Sequence, residues 1–319
     1  MPEPVRPIAL ADVEAARERI RGTVLRTPLV KLDLGPEGPD IRLKLENLQP
    51  TNAYKIRGAA NAVAALSPEE RARGVWTISA GNAGQGVAYA ARAAGIPAAV
   101  VAIETAPQTK LDRMRALGAR IVPVSYTEAW NIAEAHALDG MEGVFIHPFD
   151  NPDFIAGHGT MGLEIVEDCP DVAAVICAIG GGGLVTGVGS AVKALRPGVR
   201  VYGAEPETAA PYALSLSEGG PRRFEAWQPS FVDGAGGQSV TARMWDRMRP
   251  VVDGAITVTL DETRAAMRLI ADKARVIAEG AGALALAAAL TGKAGKRPIV
   301  CIVSGGNIDL KKFAELVAG

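Results

Sequence analysis

Four consecutive glycines, Gly180, Gly181, Gly182 and Gly183, separate the apolar run Cys177-Ala178-Ile179 from an apolar, helix-length stretch that begins at Leu184. Glycine admits backbone conformations closed to other residues and lets a ligand come close. Successive N–H groups in such a loop can converge on a phosphate, aided by the positive end of the following helix. A flexible link is the plainer reading, and the clear strand and helix patterns on either side count against it. Nucleotide folds also place glycines between a strand and a helix. Here GxGxxG fits at no register through the loop, and GxxxxGK[ST] is absent from the chain. A phosphate monoester is the better match.

Three further segments carry polar groups at turns. Lys55 follows Gln49-Pro50-Thr51-Asn52-Ala53-Tyr54, where Thr51 or Asn52 can cap a helix starting near the lysine. Alone, a lysine in that position is an ordinary solvated residue. Ser79-Ala80-Gly81-Asn82-Ala83 follows the apolar run Val75 to Ile78, and a turn of this composition at a helix start can grip a carboxylate, although capping by Ser79 and Asn82 is the simpler role. Ser304-Gly305-Gly306-Asn307 again follows an apolar run and would by itself be an ordinary turn.

The elements that must position these groups alternate. Short apolar runs at Val75 to Ile78, Ala98 to Ile103, Arg120 to Val124, Ala173 to Ile179, Val199 to Ala204 and Ile299 to Val303 read as strands. Between them, Ala83 to Ala94, Thr109 to Leu117, Thr127 to Leu138, Leu184 to Leu195, Asp261 to Lys273 and Gly280 to Leu290 read as helices, with Ala11 to Arg21 as a leading helix and Thr27-Pro28-Leu29 opening an extended piece. The pattern is α/β, with helices around parallel sheet. The Gly-, Pro- and Ser-rich stretch from Glu205 to Arg247 has little periodicity and is expected to be irregular, lining a site.

Composition narrows the function classes. With 319 residues and 48% hydrophobic content the chain can bury a large core, as one big domain or two smaller ones. A net charge of -1 leaves no footprint for nucleic acid or an anionic membrane, so a small ligand is expected. Cys169, Cys177 and Cys301 have neither disulfide-framework nor zinc-site spacing, which matches a reduced, cytoplasmic setting. The opening stretch is too charged for a secretory signal, and Ala281 to Leu290 is too short to span a bilayer.

Together, the four segments resemble the fold-type II pyridoxal-phosphate enzymes, which share the tryptophan synthase β-like fold, and most closely their threonine and serine dehydratase branch that includes serine racemase. The likeness covers nearly the whole chain. It implies pyridoxal 5'-phosphate joined to Lys55, beside Tyr54, with its phosphate on Gly180 to Leu184, its ring hydroxyl near Asn82 and its ring nitrogen facing Ser304. Ser79, Ala80, Gly81, Asn82 and Ala83 would hold the substrate carboxylate. Lys55, freed by the incoming substrate amine, would take the Cα proton; loss of the β-hydroxyl and hydrolysis would yield a 2-oxo acid and ammonia. The resemblance implies two parallel-sheet domains, 1–71 with 146–319 and a smaller mobile 72–145, in a homodimer. No room follows Ser304 for the regulatory domain of biosynthetic threonine dehydratases.

Departures from the family pattern carry expectations of their own. Tyr54 and Ala83 stand where Phe and His are usual, and Ala235-Gly236-Gly237 replaces bulkier residues, which predicts room for a substrate larger than threonine, such as phenylserine. His158 stands where Gln is usual and can be a substitute polar group, although a lone histidine is more often a satisfied structural one. Ala80 replaces the serine that racemases use as second acid/base. Glu205 and Ala209 match a divalent-metal pattern in which Pro211 displaces a carboxylate, so no metal site is expected. The alternatives are a β-replacement enzyme, an amino-acid racemase, or a non-enzymatic α/β protein binding another phosphate ligand.

Overall fold

A computed structural model describes residues 5–318; residues 1–4 and Gly319, which belong to the larger of the two expected units, lie outside the described residues. Ten strands occur among the described residues. In chain order they are β1 (Leu29–Lys31), β2 (Ile41–Leu45), β3 (Val75–Ile78), β4 (Ala98–Ile103) and β5 (Arg120–Val124). After these come β6 (Val144–Phe145), β7 (Ala174–Ala178), β8 (Arg200–Pro206), β9 (Gly254–Val258) and β10 (Ile299–Val303). They form two sheets, ordered β1-β2-β10-β7-β8-β9 and β5-β4-β3-β6. Every pairing is parallel except β1 with β2.

Alternate side chains of a strand point to opposite faces, and helices cover both faces here, so the central strands are apolar throughout. Ala174, Ile176, Ala178, Ile299, Cys301 and Val303 pack into the core beneath the helix Gly280–Leu290. Val175, Cys177, Val300 and Ile302 face the other way, toward the helices Pro152–Asp168 and Gly183–Leu195. The four-stranded sheet is built alike, with Val100 and Ala102 on one side and Ala99 and Val101 on the other.

The six expected strands are present. Sequence patterning misses the 17-residue helix Pro152–Asp168. Its Gly157, Gly159 and Gly162 lower helix propensity, yet they admit close neighbours: a methyl at Gly157 would overlap the Arg57 carbonyl, and one at Gly162 would lie 2.9 Å from Val188 O. The expected helix from Asp261 to Lys273 is an α-helix only over Leu260–Leu269, then widens into a π turn at Ile270–Ala274. The stretch from Glu205 to Arg247 is less irregular than expected, since it holds the helices Pro211–Glu218 and Ala242–Met248.

Candidate active site

Lys55 is the first residue of the helix Lys55–Ala64, and Tyr54 precedes it without a side-chain cap. Neither Thr51 nor Asn52 caps this helix. Asn52 instead adopts a left-handed backbone (φ 54°), and its carbonyl accepts from the Gly306 N–H at 2.9 Å, while the Tyr54 N–H donates to Ser304 O at 3.0 Å. The lysine turn is thus paired to the turn after β10. Lys55 is half-buried at the floor of a cleft, and its Nζ donates to Pro148 O at 2.6 Å. Desolvation lowers its pKa to about 7.

The four glycines lie where β7 passes into the helix Gly183–Leu195. Gly182 takes φ 87°, a conformation that suits glycine alone, and forms the helix N-cap. A methyl at Gly181 would overlap the Phe149 ring, and one at Gly180 would come within 3.0 Å of Gly234 O. Gly180, Gly181, Gly182, Gly183 and buried Leu184 line a small cavity with Tyr54, Lys55 and Ser304. It adjoins a cleft of about 520 Å³ lined by Lys55, Phe149 and all of Ser79, Ala80, Gly81, Asn82 and Ala83.

At that cleft Ser79 Oγ accepts from the Gly81 N–H at 3.1 Å, closing the turn after β3. Asn82 is not a helix cap. Its Nδ2 donates to Glu279 Oε1 at 2.7 Å, and its Oδ1 accepts from Asn307 Nδ2 at 2.8 Å. Glu279, buried just ahead of Gly280–Leu290, lies outside every sequence motif; its only sequence signal is a carboxylate inside an apolar, alanine-rich run. Burial first, then the negative charge of Asp233, push its pKa up to about 7. Ser304 Oγ donates to Ala281 O at 3.3 Å. On the rim, Lys110 from the four-stranded unit pairs with Asp233 at 2.9 Å.

Gly236 and Gly237 do not line this cleft: Gly236 O accepts from Trp227 Nε1, and Gly237 lies behind the loop near Gly180 O. They therefore add no room beside Lys55. Glu205 accepts from the Tyr212 and Ala213 N–H groups at 2.9 and 2.8 Å, so both carboxylate oxygens are engaged at the start of the helix Pro211–Glu218. Beneath the lysine turn, Arg57 donates to Glu46 and Glu164, and Lys44 pairs with Glu164 at 2.5 Å, all four side chains being buried. His158 is buried too, but it is not satisfied, because among the described residues neither ring nitrogen has a hydrogen-bond partner.

A glycine loop with no room for side chains, an amine held beside it with its pKa near neutrality, and two largely parallel sheets meeting at the cleft define a class. The chain belongs to the pyridoxal-phosphate dependent enzyme family, whose model matches residues 20–305. Particular relatives sharpen this. The L-threonine ammonia-lyase of Thermotoga maritima is 39% identical over 97% of this chain and 78% of its own. The catabolic L-threonine dehydratase TdcB of Escherichia coli K12 is 37% identical over 97% and 96%. Among solved structures, the T.th. threonine deaminase has a TM-score of 0.87 at 38% identity, covering 95% of this chain and 99% of that one. The serine racemase of Dictyostelium discoideum has 0.85 at 34%, with the same coverage.

Proposed function

We propose that this chain is an ammonia-lyase that converts a β-hydroxy-α-amino acid of the threonine or serine type to a 2-oxo acid and ammonia, with Lys55 as cofactor lysine and base. The observation that carries the reading is the meeting of Lys55, the Gly180 to Gly183 loop, Asn82, Ser304 and the Ser79 to Ala83 turn at one cleft. The cradle fits the cofactor: four successive glycines line it with backbone alone, and the loop N–H groups stand at the start of a 13-residue helix, where an anion is favoured. When bound, pyridoxal phosphate supplies the electron sink for charge developing at the substrate Cα.

The residues divide the remaining work. A lysine whose pKa is about 7 is substantially neutral at physiological pH, so Lys55 can take the Cα proton, while Pro148 O accepts from its amine and fixes its place. Ser79 to Ala83 supply the helix-start amides for the substrate carboxylate. Ser304 presents a neutral hydroxyl rather than a carboxylate, which favours early departure of the β-hydroxyl over build-up of carbanion. Ala80 lines the cleft with a methyl that cannot move a proton, which favours elimination over racemisation.

In the same reading the unit 72–145 closes over substrate, supported by the contacts of Lys110 with Asp233 and Arg113 with Asn307 across the cleft. The protein is taken to be a cytoplasmic homodimer; among the described residues no helix is long and apolar enough to cross a membrane. The apolar wall of Ile78, Ile103, Ala106 and Phe149 supports acceptance of a bulky β-substituent. The test measures 2-oxo acid release from threonine, serine and phenylserine, with and without added thiol. Release from none of them overturns the lyase reading, and a clear preference for serine overturns the larger pocket.

A further inference from the structure

His158 sits in the helix Pro152–Asp168 with its ring edge-on to Tyr54, 4.6 Å between centroids, and to Phe154, 4.8 Å. The same two rings flank the Lys55 amine, whose Nζ lies 5.2 Å from the Tyr54 ring centre and 5.3 Å from that of Phe154. Gly58, one helical turn beyond Lys55, leaves the space for this ring, since a methyl there would meet His158 Cε1 at 2.5 Å. The imidazole therefore lies against the helix face that carries Lys55. It is fully buried, and among the described residues neither Nδ1 nor Nε2 has a hydrogen-bond partner. Burial, with the charges of Lys55 and Arg57, holds it neutral, so one nitrogen bears hydrogen and the other is bare.

A buried polar side chain with nothing to bind is costly unless another state of the protein supplies the partner. Lys55 offers such a state: as an ammonium it has three N–H groups, and the described residues provide one acceptor, Pro148 O. Resting on the reading of Lys55 as the base, we propose that His158 is a positioning residue whose bare ring nitrogen is the second acceptor for the ammonium that Lys55 forms on taking a proton. The other titratable groups around the amine are Tyr54 and Arg57 on its own segment, His147 on the segment of Pro148, and Glu279, Asp233 and Lys110 across the cleft.

The test reads Lys55 in the cofactor-free protein, by its reactivity toward an amine-acylating reagent as a function of pH, quantified on the Lys55 peptide. Wild type is expected to titrate near pH 7, and His158→Gln, which keeps an acceptor oxygen, to follow it. His158→Leu is expected to titrate about one pH unit lower, a tenfold loss of ammonium at fixed pH. In the holoenzyme His158→Leu lowers kcat with KM little changed. A His158→Leu midpoint that coincides with wild type overturns the proposal. If His158→Leu does not fold, ¹⁵N-histidine spectra of wild type decide: the bare nitrogen resonance should move as Lys55 gains its proton, and a fixed resonance overturns the proposal. Because both titrations use protein without cofactor, failure to release 2-oxo acid would overturn the proposed activity separately.

Discussion

Asn82 Nδ2 donates to Glu279 Oε1 at 2.7 Å, joining the helix start after β3 to the helix start that precedes β10. One carboxylate thereby ties the four-stranded unit to the six-stranded one at the cleft, and burial gives it a pKa of about 7. The folded value is above the ordinary glutamate value of 4.5, so the contribution to stability is complete below pH 4.5 and is lost as pH rises through 7. Glu279→Gln keeps an acceptor oxygen without titrating. It is expected to flatten the decline in unfolding free energy between about pH 4.5 and 7, measured by urea denaturation, where a tenfold change in a protonation equilibrium is worth about 1.4 kcal/mol.

Glu46 has the opposite sign. Burial alone would raise its pKa, but the Arg57 guanidinium beside it holds the carboxyl below the usual range. Its stabilisation is present above the unfolded value of 4.5 and is lost as pH falls through the lower folded value. Glu46→Ala leaves Arg57 with one of its two carboxylate partners and is expected to cost about 3–5 kcal/mol at pH 7, with a smaller cost in acid. Thermal unfolding across pH measures both.

Gly181→Ala places a methyl in the Phe149 ring. Overpacking of this kind costs about 1–3 kcal/mol of folding stability, read as a lower urea midpoint, and the displaced loop should hold pyridoxal phosphate more weakly, read from cofactor absorbance after dialysis. Wild-type affinity in the variant would mean that the cradle lies elsewhere.

Lys55→Ala should abolish the cofactor band near the visible edge and reduce turnover by about 10² to 10⁴-fold, the usual worth of a positioned general base. In wild type the rate of cofactor capture by the cofactor-free protein should rise with pH through about 7, because the neutral amine is the nucleophile. Stopped-flow absorbance measures that limb.

Six of the ten described strands, most helices and the four turns were legible because each rests on local chemistry: apolar runs that need two buried faces, glycines that need left-handed or crowded backbone, polar residues at helix starts. Pro152–Asp168 was not, since Gly157 and Gly162 weaken a helix locally and are useful only against Arg57 O and Val188 O, which no local window contains. Glu279 stayed hidden for a similar reason. Its raised pKa and its hold on Asn82 come from burial and a partner 197 residues away.

Lys55, the glycine loop and the two polar turns were determined by the sequence itself, as residue types at a spacing that only strand-loop-helix units make useful. Tertiary structure decided what surrounds them. It withdrew Gly236 and Gly237 from the pocket, made Asn82 a link rather than a cap, and left His158 without a partner beside the rings that flank Lys55. Side-chain environment is set by contacts between segments far apart in the chain, and burial then converts those contacts into pKa and charge.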